Sequence, residues 1–407
     1  MFKFSFVDES DGEDAPRPQA QSASRAPGPS AEHTLADLIK TLPAVISYSP
    51  LAHPAGGEPL LRRDLYDARF QLAVRGDGED GAEGEAYADA DTDLIPGTYE
   101  GGLKSWEGGV DLVEVIARAT QGGEAGWVRG SKVLELGCGT GLPSAYLLRC
   151  LLAAPREPRE SGEGEGPTKT VVHVQDYNLP VLSLVTLPNL VLAALPSLPL
   201  SARGAAEAAP AARLAKDADT IDEEPENEED WEDEDEGAKR PFDPRSAGTL
   251  ELNPALLDAF TALIEEAGVE LRFTSGDWGG MAQSVGSYDL VMSAETIYAE
   301  DSVGPLLDVI RAATSKERES EAATSEEREG ENGDLSDSLG ALQIDDFARA
   351  PLAEGKPVIL IAAKVLYFGV GGGLDAFLAQ VEGLGGWSVR VRDWVRGVGR
   401  AVVRIGW

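Results

Sequence analysis

The sequence predicts an α/β fold built on a mostly parallel sheet with helices on both faces. Three observations predict it. Short apolar strands alternate with segments of helical periodicity, a glycine-rich loop directly follows the first strand, and the C-terminus holds two alternating segments joined by a short turn. Strands that alternate with helices pair in parallel, because right-handed crossovers return the chain to the same end of the sheet. We therefore expect five parallel strands closed by an antiparallel hairpin.

The apolar patterns give bounds for each element. The parallel strands are predicted at Lys132–Gly137, Val171–Tyr177, Glu270–Gly276, Tyr288–Ala294 and Pro357–Lys364. Helices are predicted over Leu142–Leu152, Asn178–Ala194 and Val303–Ala313. Pro180 and Pro188 limit the regularity of the second helix. The hairpin is predicted from Trp387–Trp394 and Arg400–Trp407, which alternate in polarity around a short turn with glycine.

Three stretches of this chain of 407 residues lack apolar periodicity, and they are Asp8–Glu32, Ser201–Gly248 and Thr314–Asp346. We expect an N-terminal extension over residues 1–92, partly disordered, and one α/β domain over residues 93–407. Residues 201–248 and 314–346 are predicted to be disordered insertions in that domain. Asp217–Glu236 alone holds 14 acidic residues and no basic one. A docking segment for a basic protein is the alternative interpretation.

Composition narrows the class of protein. The formal net charge of −36 argues against direct binding to nucleic acid, because phosphates would be repelled. Two cysteines without a CxxC pair and three scattered histidines suggest a reducing compartment and no metal site. We find no secretory signal, and no stretch approaches the roughly 20 apolar residues that a membrane helix needs. We therefore expect a soluble monomer of the cytoplasm and nucleus.

The loop after the first strand carries the strongest chemical signal, with five candidate residues: Glu135, Gly137, Cys138, Gly139 and Gly141. A dinucleotide loop has the spacing GxGxxG and sets a pyrophosphate on a helix N-terminus, whereas this loop is GxGxG with an acid two residues before it. S-adenosylmethionine has no phosphate. Its cationic amine can meet an acid at the strand end, and glycines let the backbone approach closely. The loop therefore predicts S-adenosylmethionine as cofactor, with a tight turn as the alternative.

Polar and aromatic residues also follow the next two strands. Gln175, Asp176 and Tyr177 end the second strand, where ligands of open α/β sheets bind. The carboxylate of Asp176 can accept both ribose hydroxyl protons, or it can cap a helix. After the third strand, Asp277 and Trp278 can contact the adenine amine and cover its face, or they form a turn with a core Trp.

The end of the fourth strand is where groups that face the substrate belong in such a sheet. Four polar or aromatic residues follow it, and they are Ser293, Glu295, Thr296 and Tyr298. Ser, Glu and Thr also suit a helix start, which is the alternative. Outside the strand pattern, Tyr99–Glu107 is expected to fold over the cofactor. Tyr367–Gly373 has too many glycines for a regular helix and is expected to form a loop over the catalytic edge, or a flexible turn.

These segments together resemble the eukaryotic protein-histidine methyltransferases of the class I, seven-β-strand superfamily. The matching strings are DLIPGTYEGGLKSWEGGVDLV, VLELGCGTGL, VQDYNLPVLSLVTLPNLVLA, SGDW, YDLVMSAETIY and AAKVLYFGVGGG. QDYN, SAETIY and YFGVGGG are the specific strings, because many methyltransferases share the glycine loop. The resemblance runs from about Asp93 to the end, less the acidic insertions. It implies a Rossmann-like seven-strand sheet.

The resemblance also implies roles for residues. S-adenosylmethionine would be bound by the glycine loop and by Trp106, Glu107, Gln175, Asp176, Tyr177, Asp277, Trp278 and Ser293. The substrate side would include Thr296, Tyr298, Tyr367, Gly369 and Gly371. The acceptor would be a histidine of a large-subunit ribosomal protein, methylated on the ring nitrogen distal to the backbone. The position after Glu107 is usually Cys in the family and is Gly108 here, which preserves a backbone contact but no side-chain role.

Histidine chemistry makes modest demands on such a site. A substrate imidazole with a pKa near ~6.5 is largely neutral at pH 7, so its nitrogen can attack a methyl group without a strong base. Glu295 is our hypothesis for an acceptor of the opposite ring N–H, which would stabilise the imidazolium. The acidic chain suits a basic ribosomal protein. The alternatives are a protein-lysine methyltransferase of the same fold and a non-catalytic acidic adaptor for such a protein.

Overall fold

A computed structural model describes residues 29–75, 102–120, 125–153, 169–206, 242–315, 352, 354–367, 373–395 and 397–407. The strands assigned there are β1 Ser30–His33, β2 Val45–Leu51, β3 Leu60–Arg63, β4 Lys132–Leu136, β5 Thr170–Asp176, β6 Gly248–Glu251, β7 Val269–Gly276, β8 Leu290–Ala294, β9 Val358–Lys364, β10 Trp387–Trp394 and β11 Arg400–Gly406. The α-helices are α1 Leu35–Ile39, α2 Leu65–Arg75, α3 Glu107–Ala119, α4 Leu142–Ala153, α5 Leu179–Val181, α6 Leu187–Ala194, α7 Leu200–Ala206, α8 Pro254–Glu266, α9 Trp278–Met281, α10 Glu300–Thr314 and α11 Leu374–Gly383.

The main sheet has eight strands in the order β1-β7-β5-β4-β8-β9-β11-β10. The strands from β7 to β9 in this order are parallel, and β11 and β10 follow as an antiparallel hairpin. The predicted fold is thereby confirmed, and all seven predicted strands lie within two residues of their expected bounds. From β4 the chain adds β5 and β7 on one side of the sheet, and it then adds β8 and β9 on the other side, so the strand order reverses between β4 and β8. Loops diverge at such a switch point and leave a crevice at the carboxyl ends of the strands.

Strand β1 was not expected. The prediction that Asp8–Glu32 lacks regular structure is wrong at its end, because Ser30–His33 pairs antiparallel with β7. The side chains of β1 are half-buried or exposed, so no apolar pattern marks this strand in the sequence. Backbone pairing holds it, together with a contact of 2.7 Å between His33 Nε2 and Ser275 Oγ. Residues 8–28 lie outside the described part of the chain.

The sheet separates two hydrophobic cores. Successive residues of a strand face opposite sides, so Val133 packs in one core and Leu134 in the other. The first core contains α3, α4 and α6, and the second contains α10 and α11. Strands β4, β5, β8 and β9 are buried along nearly their whole length. Burial on both faces explains their almost continuous apolar sequences.

Helix α3 packs against the hairpin side of the sheet through buried charges as well as apolar residues. Asp111 accepts two hydrogen bonds from the Arg400 guanidinium, at 2.6 and 3.1 Å. Glu114 pairs with Arg392 at 2.6 Å and accepts a hydrogen bond from Trp394 Nε1 at 3.1 Å. Because buried carboxylates need such partners, these pairs hold the start of α3 at the edge of the sheet.

The N-terminal residues contribute to the same core, although they carry none of the motif strings. Strands β3, β2 and β6 form a small second sheet whose apolar side chains join the first core. Pro188 has no N–H to donate to the Leu184 carbonyl, and the buried Arg63 guanidinium donates to that carbonyl instead. Arg63 also pairs with Asp67 at 2.9 Å. The boundary at residue 92 stays a prediction.

The segment after β5 is helical but irregular, as its two prolines predict. Helices α5 and α6 are joined by a π-helical turn at Leu182–Thr186. Contrary to the expectation above, the run Leu179–Ser197 is long and apolar enough to span a membrane by composition alone. However, 83% of its most apolar window is buried inside the protein, so it serves here as a core helix.

The low-complexity prediction also needs correction around the first insertion. Helix α7 occupies its first six residues, since it runs to Ala206, and β6 begins at its last residue, Gly248. Residues 207–241 and 316–350 lie outside the described residues. Helix α8 was missed although its signals are present: Asn253 caps it by accepting the Leu256 N–H at 2.9 Å, and Leu256, Phe260 and Ile264 form its buried stripe.

Candidate active site at the carboxyl edge of the sheet

The glycine loop after β4 has a backbone conformation that favours glycine. Gly137, Gly139 and Gly141 have φ angles of 59°, 50° and 61°. A Cβ on Gly137 would lie 2.5 Å from Thr296 Cγ2, and one on Gly139 would lie 3.2 Å from the Gly102 Cα. The loop therefore packs directly against the segments that follow β8 and precede α3, which brings three predicted site segments together.

Gln175 joins this loop to the segment after β7. Its side chain is fully buried, and Oε1 accepts hydrogen bonds from Gly137 N–H at 3.1 Å and Trp278 Nε1–H at 2.7 Å. Nε2 donates to the Gly276 carbonyl at 2.8 Å, and the Gln175 carbonyl accepts from Cys138 N–H. Gln175 thus lies beneath the predicted cofactor position, where it fixes both the loop and the Trp278 ring.

The carboxylate of Asp176 contacts the glycine loop and Asn178, and Asn178, not Asp176, is the N-cap of α5. Oδ2 accepts the Gly139 N–H and Oδ1 accepts the Asn178 N–H, both at 2.9 Å. Both carboxylate oxygens are hydrogen-bond acceptors, which is the chemistry that ribose hydroxyls require. The residue lies at the carboxyl end of β5, beside the switch point. Its acceptor oxygens at this position therefore suit the hydroxyls of the ribose of S-adenosylmethionine.

Glu135 lies beneath the loop and is 2% exposed. Oε2 accepts the Ser144 N–H at 2.9 Å and also the Ser144 hydroxyl. Ser144 belongs to the first turn of α4, so the carboxylate caps the positive end of this helix. Burial raises the pKa of Glu135 to about 7, although the Ser144 hydrogen bonds lower it. The capping contact is observed, and the contact with a cofactor amine stays a prediction.

We expect Glu135→Gln to remove a pH dependence of stability. The folded pKa of Glu135, about 7, exceeds its ordinary value of 4.5, so ionisation of the buried group lowers stability as pH rises from 4.5 through 7. The difference corresponds to roughly 3 kcal/mol. Gln keeps an acceptor for Ser144 without ionising. The free energy of unfolding measured in urea should be higher for the variant than for the wild-type protein at pH 8. This difference should exceed the difference at pH 4.5 by roughly 3 kcal/mol.

Asp258→Asn is a suitable control for this measurement, because Asp258 is an exposed carboxylate on α8. Its effect on the free energy of unfolding should be small at both pH values. An effect of Glu135→Gln that is the same at pH 4.5 and pH 8 would contradict the assigned pKa.

Asp277 and Trp278 each make a hydrogen bond within the protein. Asp277 is the N-cap of α9, and its Oδ1 accepts the Gly279 N–H at 2.7 Å. The Trp278 N–H is bonded to Gln175, as described above, which holds its ring against the glycine loop. The turn of the alternative interpretation is observed, but Trp278 is half-buried and not a core residue. Contact of these two residues with adenine stays a prediction.

Ser293 is fully buried at the end of β8. Its hydroxyl donates to the Leu136 carbonyl at 2.9 Å and lies 2.7 Å from the Thr296 hydroxyl. These contacts join the ends of β4 and β8 at the switch point. Thr296 in turn packs on Gly137, and Tyr298 is half-buried just before α10.

Glu295 follows β8 and contacts the start of α3, the end of β9 and the segment after β9. Its side-chain carboxylate is hydrogen-bonded by Gly108 and Tyr367. Oε1 accepts the Gly108 N–H at 3.1 Å, and Oε2 accepts the Tyr367 hydroxyl at 2.5 Å. The Glu295 N–H donates to the Ala362 carbonyl on β9 at 2.9 Å. Among the described residues, Glu295 is the one non-glycine residue with a positive φ, 58°. Burial raises the pKa of Glu295, while the Tyr367 hydroxyl and the Lys364 ammonium lower it.

Trp106 is the N-cap of α3, two residues before Gly108, and its ring contacts two ammonium groups. Lys104 Nζ and Lys364 Nζ each lie 4.8 Å from the centroid of its ring. Lys364 Nζ is also 3.6 Å from Glu107 Oε2. Lys364 was not predicted. It is the last residue of β9, so its place at the carboxyl end of a parallel strand is the signal that would have found it.

The remaining predicted residues divide into three groups. Cys138 is buried, and burial raises the pKa of its thiol well above the ordinary value, which disfavours the reactive thiolate. Tyr177 contributes a backbone carbonyl that accepts the Gly276 N–H at 3.2 Å. Gly369 and Gly371 lie outside the described residues. Sequence reasoning missed Thr186, which lies in the π-helical turn. Its hydroxyl donates a hydrogen bond of 2.6 Å to the Gly139 carbonyl.

The strand order, the glycine loop after β4 and the acids at the strand ends define the class of this protein. It is a Rossmann-like methyltransferase that uses S-adenosylmethionine. Bound at this edge, the cofactor would meet the glycine loop and the carboxylate of Asp176.

Relatives of known name match most of the chain and confirm the resemblance. It is 26% identical over 364 residues to "Histidine protein methyltransferase 1" of Saccharomyces cerevisiae, covering 86% of this chain and 75% of that protein. The Schizosaccharomyces pombe protein of the same name is 24% identical over 393 residues, covering 94% and 85%. The Bos taurus homolog is 27% identical over 298 residues, covering 72% and 51%.

No family model matches the chain. Solved structures with a similar arrangement include a TehB-like SAM-dependent methyltransferase from Corynebacterium glutamicum, which is 15% identical with a TM-score of 0.27 and coverages of 70% and 86%. Magnesium protoporphyrin IX methyltransferase from Synechocystis is 10% identical with a TM-score of 0.29 and coverages of 83% and 96%. At these TM-scores the two structures carry no weight, and the topology above defines the fold.

Proposed function

We propose that this protein transfers the methyl group of S-adenosylmethionine to a histidine side chain of a protein. The placement of Glu295 carries the proposal. This buried carboxylate directly precedes Thr296, which packs on Gly137 of the glycine loop. This neighbourhood supports a position of Glu295 next to the methyl donor in the proposed complex. The printed names of the yeast and bovine relatives support a histidine acceptor.

The residues of the site suit an acceptor that is already neutral. S-adenosylmethionine supplies a methyl group activated on a sulfonium. The substrate imidazole, with a pKa near ~6.5, needs no base to expose its attacking nitrogen at pH 7. The Glu295 carboxylate would accept the N–H on the other ring nitrogen, set the tautomer and offset the positive charge that develops on the ring. A lysine acceptor, with a pKa near ~10.4, would first have to lose a proton.

We further propose that the substrate is a large-subunit ribosomal protein and that the distal ring nitrogen is methylated. Ribosomal proteins are basic, and a chain with a formal net charge of −36 would attract a basic partner during encounter. The choice of nitrogen follows from the resemblance of the motif strings described above.

The test uses the full chain, radiolabelled S-adenosylmethionine and purified large ribosomal subunits or their extracted proteins. We expect label in one protein, mass spectrometry that places one methyl group on a histidine, and an acid hydrolysate that co-migrates with the distal-nitrogen standard. The Gly137→Ala variant is the negative control. Label on lysine would overturn the histidine proposal, and label on a histidine of a non-ribosomal protein would overturn the substrate proposal alone.

A further inference from the structure

The backbone of Glu295 is strained, and the surrounding residues hold it in place. The left-handed region is unfavourable for a non-glycine residue, and such a residue persists there only where the surroundings determine it. Glu295 has φ of 58°, and its N–H donates to the Ala362 carbonyl, which continues the pairing of β8 with β9 by one residue. Strain of this kind at a strand end beside a cofactor loop points to a functional orientation of the side chain.

The carboxylate of Glu295 is seated on the start of α3 because Gly108 has no side chain. A Cβ at residue 108 would lie 2.9 Å from Glu295 Cγ and 3.0 Å from Oε1. The Gly108 N–H donates to Oε1 from the first turn of α3, where unpaired N–H groups and the helix dipole favour a negative charge. The neighbouring Gly109 has open space around its Cα, so the requirement for glycine is specific to residue 108.

Tyr367 holds the second oxygen. Its hydroxyl donates to Glu295 Oε2 at 2.5 Å and accepts the backbone N–H of Lys364 at 3.2 Å. Leu366 is itself anchored by a bridge to Gly373, which fixes the backbone next to Tyr367. The tyrosine therefore connects the backbone at the end of β9 with the carboxylate at the end of β8.

We propose that Tyr367 and Gly108 are positioning residues for methyl transfer, which hold the Glu295 carboxylate in the one orientation that meets the substrate ring N–H. This inference rests on the proposed function. Among the described residues, each carboxylate oxygen accepts one hydrogen bond, from Gly108 N–H and from the Tyr367 hydroxyl, and a carboxylate has about four acceptor positions. The remaining capacity is for the substrate, which finds the acceptor already oriented.

The pH dependence of turnover gives a test that a merely structural role would not pass. Titratable or charged groups near Glu295 are Tyr367 and Lys364 at the end of β9, Glu107 on α3 and Arg400 on β11. Burial raises the pKa of Glu295, and the Tyr367 hydroxyl lowers it. If the carboxylate must be ionised, kcat is lost as pH falls through this pKa. Loss of the hydroxyl raises the pKa, so the acidic limb moves to higher pH.

The experiment measures kcat against pH, cofactor Kd and Tm for the full chain and its variants. We expect Tyr367→Phe to lower kcat about tenfold and to move the acidic limb up by about one pH unit, with cofactor Kd unchanged. Gly108→Ala should lower kcat, whereas Gly109→Ala in the same helix turn should not. In a Glu295→Gln background, Tyr367→Phe should have no further effect on kcat, because the two residues act as one unit.

Two results would overturn the inference: an acidic limb that does not move in Tyr367→Phe, or additive effects of Tyr367→Phe and Glu295→Gln. Failure of the proposed function looks different, because the wild-type protein would then label a residue other than histidine. In that case the same double-mutant comparison, made on the labelled residue, still decides whether Tyr367 acts through Glu295.

Discussion

Gly137→Ala is expected to raise the Kd for S-adenosylmethionine by at least about 100-fold. The φ of 59° at Gly137 is unfavourable for alanine, and the new Cβ would lie 2.5 Å from Thr296 Cγ2. Strain of roughly 1–2 kcal/mol and overpacking of roughly 1–3 kcal/mol together amount to about 3 kcal/mol, which corresponds to about two orders of magnitude in Kd. Thr296 cannot easily give way, because it is buried and its hydroxyl is engaged with Ser293.

Isothermal titration calorimetry with S-adenosylmethionine checks this prediction. Gly109→Ala is the matched control, because Gly109 lies in α3 with nothing within 4 Å of a new Cβ and no positive φ. Alanine there should leave Kd unchanged and should stabilise the helix by up to about 1 kcal/mol. A Gly137→Ala variant that is folded by circular dichroism and binds the cofactor as tightly as the wild-type protein would refute the assigned role of the loop.

Glu295→Gln is expected to lower kcat about 100-fold and to leave the cofactor Kd within about threefold. Gln has nearly the same volume and keeps an oxygen for the Gly108 N–H, so the fold around the site should be preserved. The charge that offsets the developing imidazolium is lost. The acidic limb of the kcat profile should also disappear, because the group whose pKa burial raises is no longer present.

Steady-state kinetics at saturating cofactor and substrate checks the second prediction, with Glu300→Gln as control. Glu300 is an exposed acid in the first turn of α10, five residues further along the chain. It should change kcat little, because an exposed charge is screened by solvent. Turnover of Glu295→Gln equal to that of the wild-type protein would eliminate Glu295 as the acceptor of the ring N–H.

Local sequence patterns predicted the sheet well because each pattern has a local physical cause. The apolar runs of β5 and β9 reflect burial on both faces, and Pro180 and Pro188 predicted the irregular segment after β5. Strand β1 was missed because backbone pairing, and not an apolar face, holds it. The small sheet was missed because two of its paired strands are far apart in the chain: Val45 on β2 pairs with Glu251 on β6, 206 positions further on.

The structure gathers many of the predicted site residues at one edge of the sheet, but the sequence did not assign their contacts. Glu135 and Gln175 were chosen for a cofactor, and both carry buried contacts that hold the loop and α4. A sequence pattern shows that a polar residue lies at a strand end, but not whether its partner is a ligand or a backbone N–H. Lys364 was overlooked because it was counted as the last residue of β9, although the carboxyl end of a parallel strand is where site residues lie.

By itself, the sequence determined the parallel sheet, the antiparallel hairpin and the glycine loop of a methyltransferase. Strand periodicity and the spacing of glycines are patterns of neighbouring residues along the chain, so they can be inferred from it. Only the tertiary structure decided how Glu295 is held. Its contact with Gly108 joins residues 187 positions apart, and its contact with Tyr367 joins residues 72 apart. The folding of three segments onto one edge brings these groups within hydrogen-bond distance.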